Sequence, residues 1–165
     1  MTKEKKKMAN RLMVCLRYKA RQGKSSTIKA LAEKLMPKPE KAAAQWYLPE
    51  SPPGDWSELS WDSDICVTVN IKGKRTGLNS AGDVAEEIVE QLKFLADKNC
   101  SIIFCACRSK GDTVKAVEKM ANKFNYTLIW TAPYTNHKQP PGMKPEEWQD
   151  YLNRKKAEHL EDFIG

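Results

Sequence analysis

Two kinds of apolar pattern alternate along the chain. Leu12-Met13-Val14-Cys15-Leu16 and the run from Ser101 to Cys107 (SIIFCAC) are short and unbroken. Runs of that length without polar alternation predict strands buried on both faces, as in a parallel sheet covered by helices. Tyr126 to Ala132 (YTLIWTA) predicts another strand. Elsewhere apolar residues recur at helical spacing: Ile28, Leu31, Ala32 and Leu35; Val84, Ile88, Leu92 and Leu95; Val114, Val117, Met120, Ala121 and Phe124. Asp83, and Asp112 or Thr113, are the expected N-caps of the second and third of these helices. Asp64 to Ile71 alternates and is β-branched, Lys72-Gly73-Lys74 predicts a hairpin turn, and Arg75 to Ser80 the returning strand. Glu146 to Ile164 predicts a closing helix with Trp148, Leu152, Leu160 and Phe163, and its highly charged middle predicts a surface position.

Strands alternating with amphipathic helices imply an α/β fold of three layers, with a mainly parallel sheet of about five strands flanked by helices. The expected organisation is a basic tail over 1–10, an α/β core over 11–135, and a loop plus helix packing on that core over 136–165. Within the core, 36–64 is different in kind. It holds five prolines with Trp46, Trp56 and Trp61, and predicts an ordered excursion. Ala42 to Trp46 reads as a helical turn or a short strand. The tryptophans either cover an edge of the core or stack on a base or a partner.

Composition adds boundaries. The 165 residues suit about one domain, with 41% hydrophobic and 30% charged residues. No stretch approaches the ~18 apolar residues of a membrane span, and the basic start, Lys3 to Lys7, lacks the long apolar run of a secretory signal. Cys15, Cys66, Cys100, Cys105 and Cys107 are odd in number and form no CxxC pair, so buried, reduced thiols are expected rather than a zinc site. A cytoplasmic location follows from these features. Charge is uneven. Residues 1–34 hold 11 basic and 2 acidic residues, a net of +9; the remainder holds 17 and 19, a net of −2. A basic start suggests an anionic partner: phosphate, nucleic acid or an acidic protein.

Chemistry concentrates after the first strand. Arg21-Gln22-Gly23-Lys24-Ser25-Ser26 follows a buried strand and opens a helix. Backbone N–H groups at a helix start favour an anion. Lysine supplies charge to phosphates, and the following hydroxyl can ligate Mg²⁺. In this context the segment resembles the phosphate loop of the P-loop NTPase superfamily, G-x-x-x-x-G-K-[ST], with Tyr18 in place of the first glycine. The resemblance implies a P-loop-like fold and a nucleoside triphosphate bound with Mg²⁺ as ATP or GTP, to be hydrolysed or to give up its γ-phosphoryl group. Arg21 to Ser26 would be the phosphate-binding residues. A second element is then expected at the end of a neighbouring strand. Leu78-Asn79-Ser80-Ala81-Gly82-Asp83 looks like the D-T-A-G-Q switch of Ras-type GTPases. On that register Asn79 replaces the metal-associated Asp, Gly82 matches the glycine that senses the γ-phosphate, and Asp83 replaces the water-positioning Gln. Asp83 then assists the metal with Ser25 or orients a water; otherwise it is a plain N-cap.

Arg108, after SIIFCAC, is placed where ligands bind in open α/β sheets, and could neutralise charge on a transferred phosphoryl group. Its alternative is a surface arginine. Ser109-Lys110-Gly111-Asp112 resembles a guanine-recognition motif but falls one strand early, so ATP is expected ahead of GTP. Thr131 to Tyr134 could border the base. His137 and His159 lack a triad partner in the pattern. The alternatives are a nucleic-acid-binding module using the basic start, and a non-catalytic P-loop protein working through partners.

Overall fold

The computed structural model describes residues 11–19, 24–60, 62–135 and 140–165. Its strands are β1 (Leu12–Arg17), β2 (Ala44–Leu48), β3 (Cys66–Ile71), β4 (Lys74–Asn79), β5 (Ile102–Cys107) and β6 (Thr127–Thr131). Its helices are α1 (Lys24–Leu35), α2 (Ala85–Asp97), α3 (Asp112–Lys123) and α4 (Pro145–Glu161). The strands form one six-stranded sheet in the order β2-β3-β4-β5-β1-β6.

The unbroken runs become the central strands. On β1, Met13 and Cys15 face α2 and α3, whereas Val14 and Leu16 face α1 and α4. On β5, Ile103, Cys105 and Cys107 face the first pair of helices, and Ile102, Phe104 and Ala106 the second. Both faces are covered, so no polar position survives in Leu12 to Leu16 or in Ile102 to Cys107. Each fully buried Leu, Ile or Phe here contributes on the order of 1.5–3 kcal/mol. All five cysteines are buried and free.

The sheet is mixed, so the mainly parallel expectation holds only in part. β1 pairs in parallel with β5 and β6, and β4 with β5, but β2–β3 and β3–β4 are antiparallel. The sixth strand is β2, from the tryptophan-rich excursion, where Ala44 to Leu48 alternate between half-buried and exposed. The β3–β4 hairpin closes through Lys72 (φ 51°) and Gly73 (φ 77°), the left-handed pair a two-residue turn of this kind requires. Trp56 donates its indole N–H to the Met36 carbonyl at 2.6 Å, and its ring meets Trp46 at 6.1 Å. Both pack on the α1 side of the core, the edge-covering role. Trp61 lies outside the described residues, as does the tail over 1–10.

Two expected caps are replaced. Val84, which is exposed and outside the apolar stripe, precedes α2 without a side-chain capping bond. Gly111 precedes α3 in the same way, so neither Asp83 nor Asp112 caps a helix. Thr113 instead accepts the Arg108 N–H through its Oγ1 at 3.0 Å. The closing helix is also less superficial than its charge suggests. It packs on α1 and buries Leu152, Asn153, Lys156, Ala157 and Leu160.

Candidate phosphate-binding site

β4, β5 and β1 run parallel, so their C-terminal ends share one edge of the sheet. β1 is still tied to its neighbour after its last residue, because the Tyr18 N–H donates to the Cys107 carbonyl at 3.3 Å. The chain re-enters as α1, whose first residue is Lys24. Arg21, Gln22 and Gly23 lie outside the described residues. Ser26 is exposed on the first turn of α1.

Lys24 turns back across the strand ends. Its side chain is only 5% exposed, and its Nζ donates to the Cys107 carbonyl at 3.0 Å. Burial pushes its pKa down, against the opposing pull of Asp83. That ammonium in turn helps hold the Cys107 thiol below its usual range. The larger cause there is a hydrogen bond from Cys15, whose Sγ lies 3.6 Å away and whose own pKa burial raises. Ser25 donates its hydroxyl to the Ser80 carbonyl at 2.8 Å. Ser80 is fixed from the other side: its Oγ accepts the Ile65 N–H at 2.8 Å and donates to Asp64 at 3.0 Å. The segment after β4 is thus tied to both α1 and the residues just before β3.

Gly82 is required by close approach. A Cβ there would sit 2.8 Å from the backbone carbon and oxygen of Ala106, too near for any other residue without displacement. This seats the segment 80–83 on the end of β5. Asp83 follows, and its Oδ1 lies 4.0 Å from Lys24 Nζ and 3.5 Å from Arg108 Nε. The carboxylate is drawn to two cations, which explains why it does not cap α2. Arg108 is half exposed, so its guanidinium also faces solvent at the edge. Arg17 is the next cation along. It donates to the Ser109 carbonyl at 2.8 Å and lies over the Trp130 ring, which ties the β5 and β6 ends together.

The structure therefore brings together Lys24, Ser25, Gly82, Asp83 and Arg108, although the strand order differs from expectation. β4 is not the neighbour of β1, because β5 lies between them. Asn79 is buried at the end of β4, with its Nδ2 donating weakly to the Ala81 carbonyl and its Oδ1 unpartnered. Among the described residues no group of three or more His, Cys, Asp or Glu is placed to hold a metal unaided. The donor set fits a cation shared with phosphate better. Ser25 gives its proton to Ser80, which leaves its oxygen lone pairs available to a ligand.

Several contributors carried no sequence signal. The Cys107 carbonyl is a main-chain acceptor, and Ser80 acts through its carbonyl as well as its side chain. Lys156 is 4% exposed and donates to Thr131 Oγ1 at 2.7 Å, beneath the Tyr134 ring. His159 pairs with the Tyr134 hydroxyl at 3.0 Å, and His137 is outside the described residues. Among the described residues no helix is long and apolar enough to cross a membrane. Comparison of the chain with protein-family models, with curated proteins and with solved structures gave no match.

Proposed function

We propose that this chain binds a nucleoside triphosphate at the C-terminal edge of β1, β5 and β4 and hydrolyses it or transfers its γ-phosphoryl group. ATP is the first candidate. The observation that supports the reading is the convergence of a buried lysine and a half-exposed arginine on one point beside the start of α1. Such a point favours an anion with several acceptor oxygens. Lys24 binds and orients phosphate from the sheet side, Arg108 from solvent. Ser25 would hold Mg²⁺, which when bound offsets charge on the phosphate oxygens. Asp83 holds or accepts a proton from a water close to the transferred group, and Asn79 Oδ1 offers a further acceptor behind it.

Thermal unfolding with ATP-Mg²⁺ and with GTP-Mg²⁺ tests the reading. A ligand at ~100 times its Kd adds about 2.7 kcal/mol of stability. The shift is expected in the wild type and lost in Lys24→Ala. No shift with either nucleotide at millimolar concentration would remove the proposal. Nucleic-acid binding that falls steeply with salt and survives Lys24→Ala would put the basic start of the chain in its place.

A further inference from the structure

Asp83 is an odd neighbour for a phosphate. Lys24 and Arg108 both approach the same oxygen of its carboxylate, at 4.0 and 3.5 Å. These two cations are its only partners among the described residues. The backbone that carries it cannot move away easily, since Gly82 is seated on Ala106 and Ser25 holds the Ser80 carbonyl. The side chain itself is free to rotate, being 60% exposed. Lys24 needs a counter-charge because burial disfavours its ammonium.

We infer that the point shared by Lys24 and Arg108 is the subsite for a terminal phosphoryl group, and that Asp83 is its internal occupant in the free protein. The inference rests on the nucleotide reading above. The carboxylate brings one negative charge; a terminal phosphoryl brings about −1.5 to −2 and three acceptor oxygens. The stronger anion takes both cations, and Asp83 turns out to solvent or toward a water by a rotamer change. No bond is made or broken in this step. Asp83 thereby sets a threshold: weak or singly charged anions compete poorly for cations that are already paired, while a triphosphate displaces the carboxylate.

Calorimetric titration with inorganic tripolyphosphate, without metal, reads the competition directly. Asp83→Asn keeps the shape and removes the charge. It is expected to tighten tripolyphosphate about two- to fivefold, the size of a partly exposed ion pair. Asp112→Asn, the same charge change at the start of α3, is the control for general electrostatics and is expected to change affinity less than about twofold. The gain from Asp83→Asn should shrink on an Arg108→Ala background, because one of the released cations is gone. If Asp83→Asn leaves tripolyphosphate unchanged or weakens it, or if Asp112→Asn tightens it equally, the inference is overturned. Weakened ATP-Mg²⁺ with unchanged tripolyphosphate would make Asp83 a metal contact instead and overturn it too. Binding to wild type that is lost in Lys24→Ala reports separately on the nucleotide reading. Were wild type to bind neither ligand, both proposals would fall together. Thermal melts of the free variants confirm that each is folded.

Discussion

Lys24 and Lys156 are two lysines buried at the same edge of one sheet, and they are solved differently. Both have their pKa pushed down by desolvation. Lys24, at the end of β5, has a carbonyl at 3.0 Å and a carboxylate at 4.0 Å. Lys156, at the end of β6, has a hydroxyl at 2.7 Å and the face of Tyr134. Among the described residues it has no carboxylate within ion-pair distance. The first arrangement carries its compensating charge on an exposed, rotatable side chain. The second is closed and uses neutral groups. A buried ammonium therefore does not mark a ligand site by itself; the exposed carboxylate beside Lys24 is what sets the β5 end apart.

The comparison can be broken most strongly at Gly82. Gly82→Ala forces a Cβ against the Ala106 backbone and should cost about 3 kcal/mol, with nucleotide binding lost because Asp83 and Ser80 are displaced. A urea midpoint within a few tenths of the wild-type value would show that the seat on β5 is soft. Next comes Lys24→Met. It should remove the nucleotide-dependent stabilisation of about 2.7 kcal/mol while the free protein stays folded. Retained stabilisation would mean that Arg108 alone suffices.

Lys156→Met sharpens the other end. Removing a buried charge that lacks a carboxylate partner should raise stability by about 1 kcal/mol and leave the nucleotide shift intact. Destabilisation beyond that size would give the Thr131 hydrogen bond a larger weight than a single neutral acceptor usually has. The smallest effect is in pH. A lysine with a depressed folded pKa costs stability fully below that pKa, and the cost vanishes as pH rises toward the unfolded value of 10.5. The advantage of Lys156→Met over wild type should therefore shrink as pH rises toward 10.5. A constant advantage across that rise would deny the desolvation account.

The parts of the fold that were legible share a cause. β1 and β5 are buried on both faces, so composition alone marks them, and the hairpin turn is written in Lys72 and Gly73. α1 with Lys24 and Ser25 follows directly from the apolar spacing after β1. Pairing partners are another matter. Nothing local says that β5 separates β1 from β4, because strand order is decided by long-range packing. β2 was ambiguous because a proline-rich segment with half-buried alternation looks equally like a turn. Asp83 was a natural cap by type, but two cations outcompeted the helix end for its carboxylate. Lys156 could not be told from the other lysines of a charged helix, since burial of one lysine depends on what α4 lies against. The Cys107 carbonyl belongs to every residue type alike, so no sequence pattern could point to it.

The strand between β1 and β4 acts as a spacer with a fixed gauge. Lys24 grips its last carbonyl and Gly82 rests on the residue before, so the gap between the two sides of the site is one strand width. A push on the Gly82 side reaches Lys24 through two consecutive peptide units rather than through a chain of side chains. Peptide planes bend far less readily than rotamers turn. The two sides of the edge are thus mechanically stiff relative to each other, and the compliance of the site is concentrated in the exposed side chains of Asp83 and Arg108.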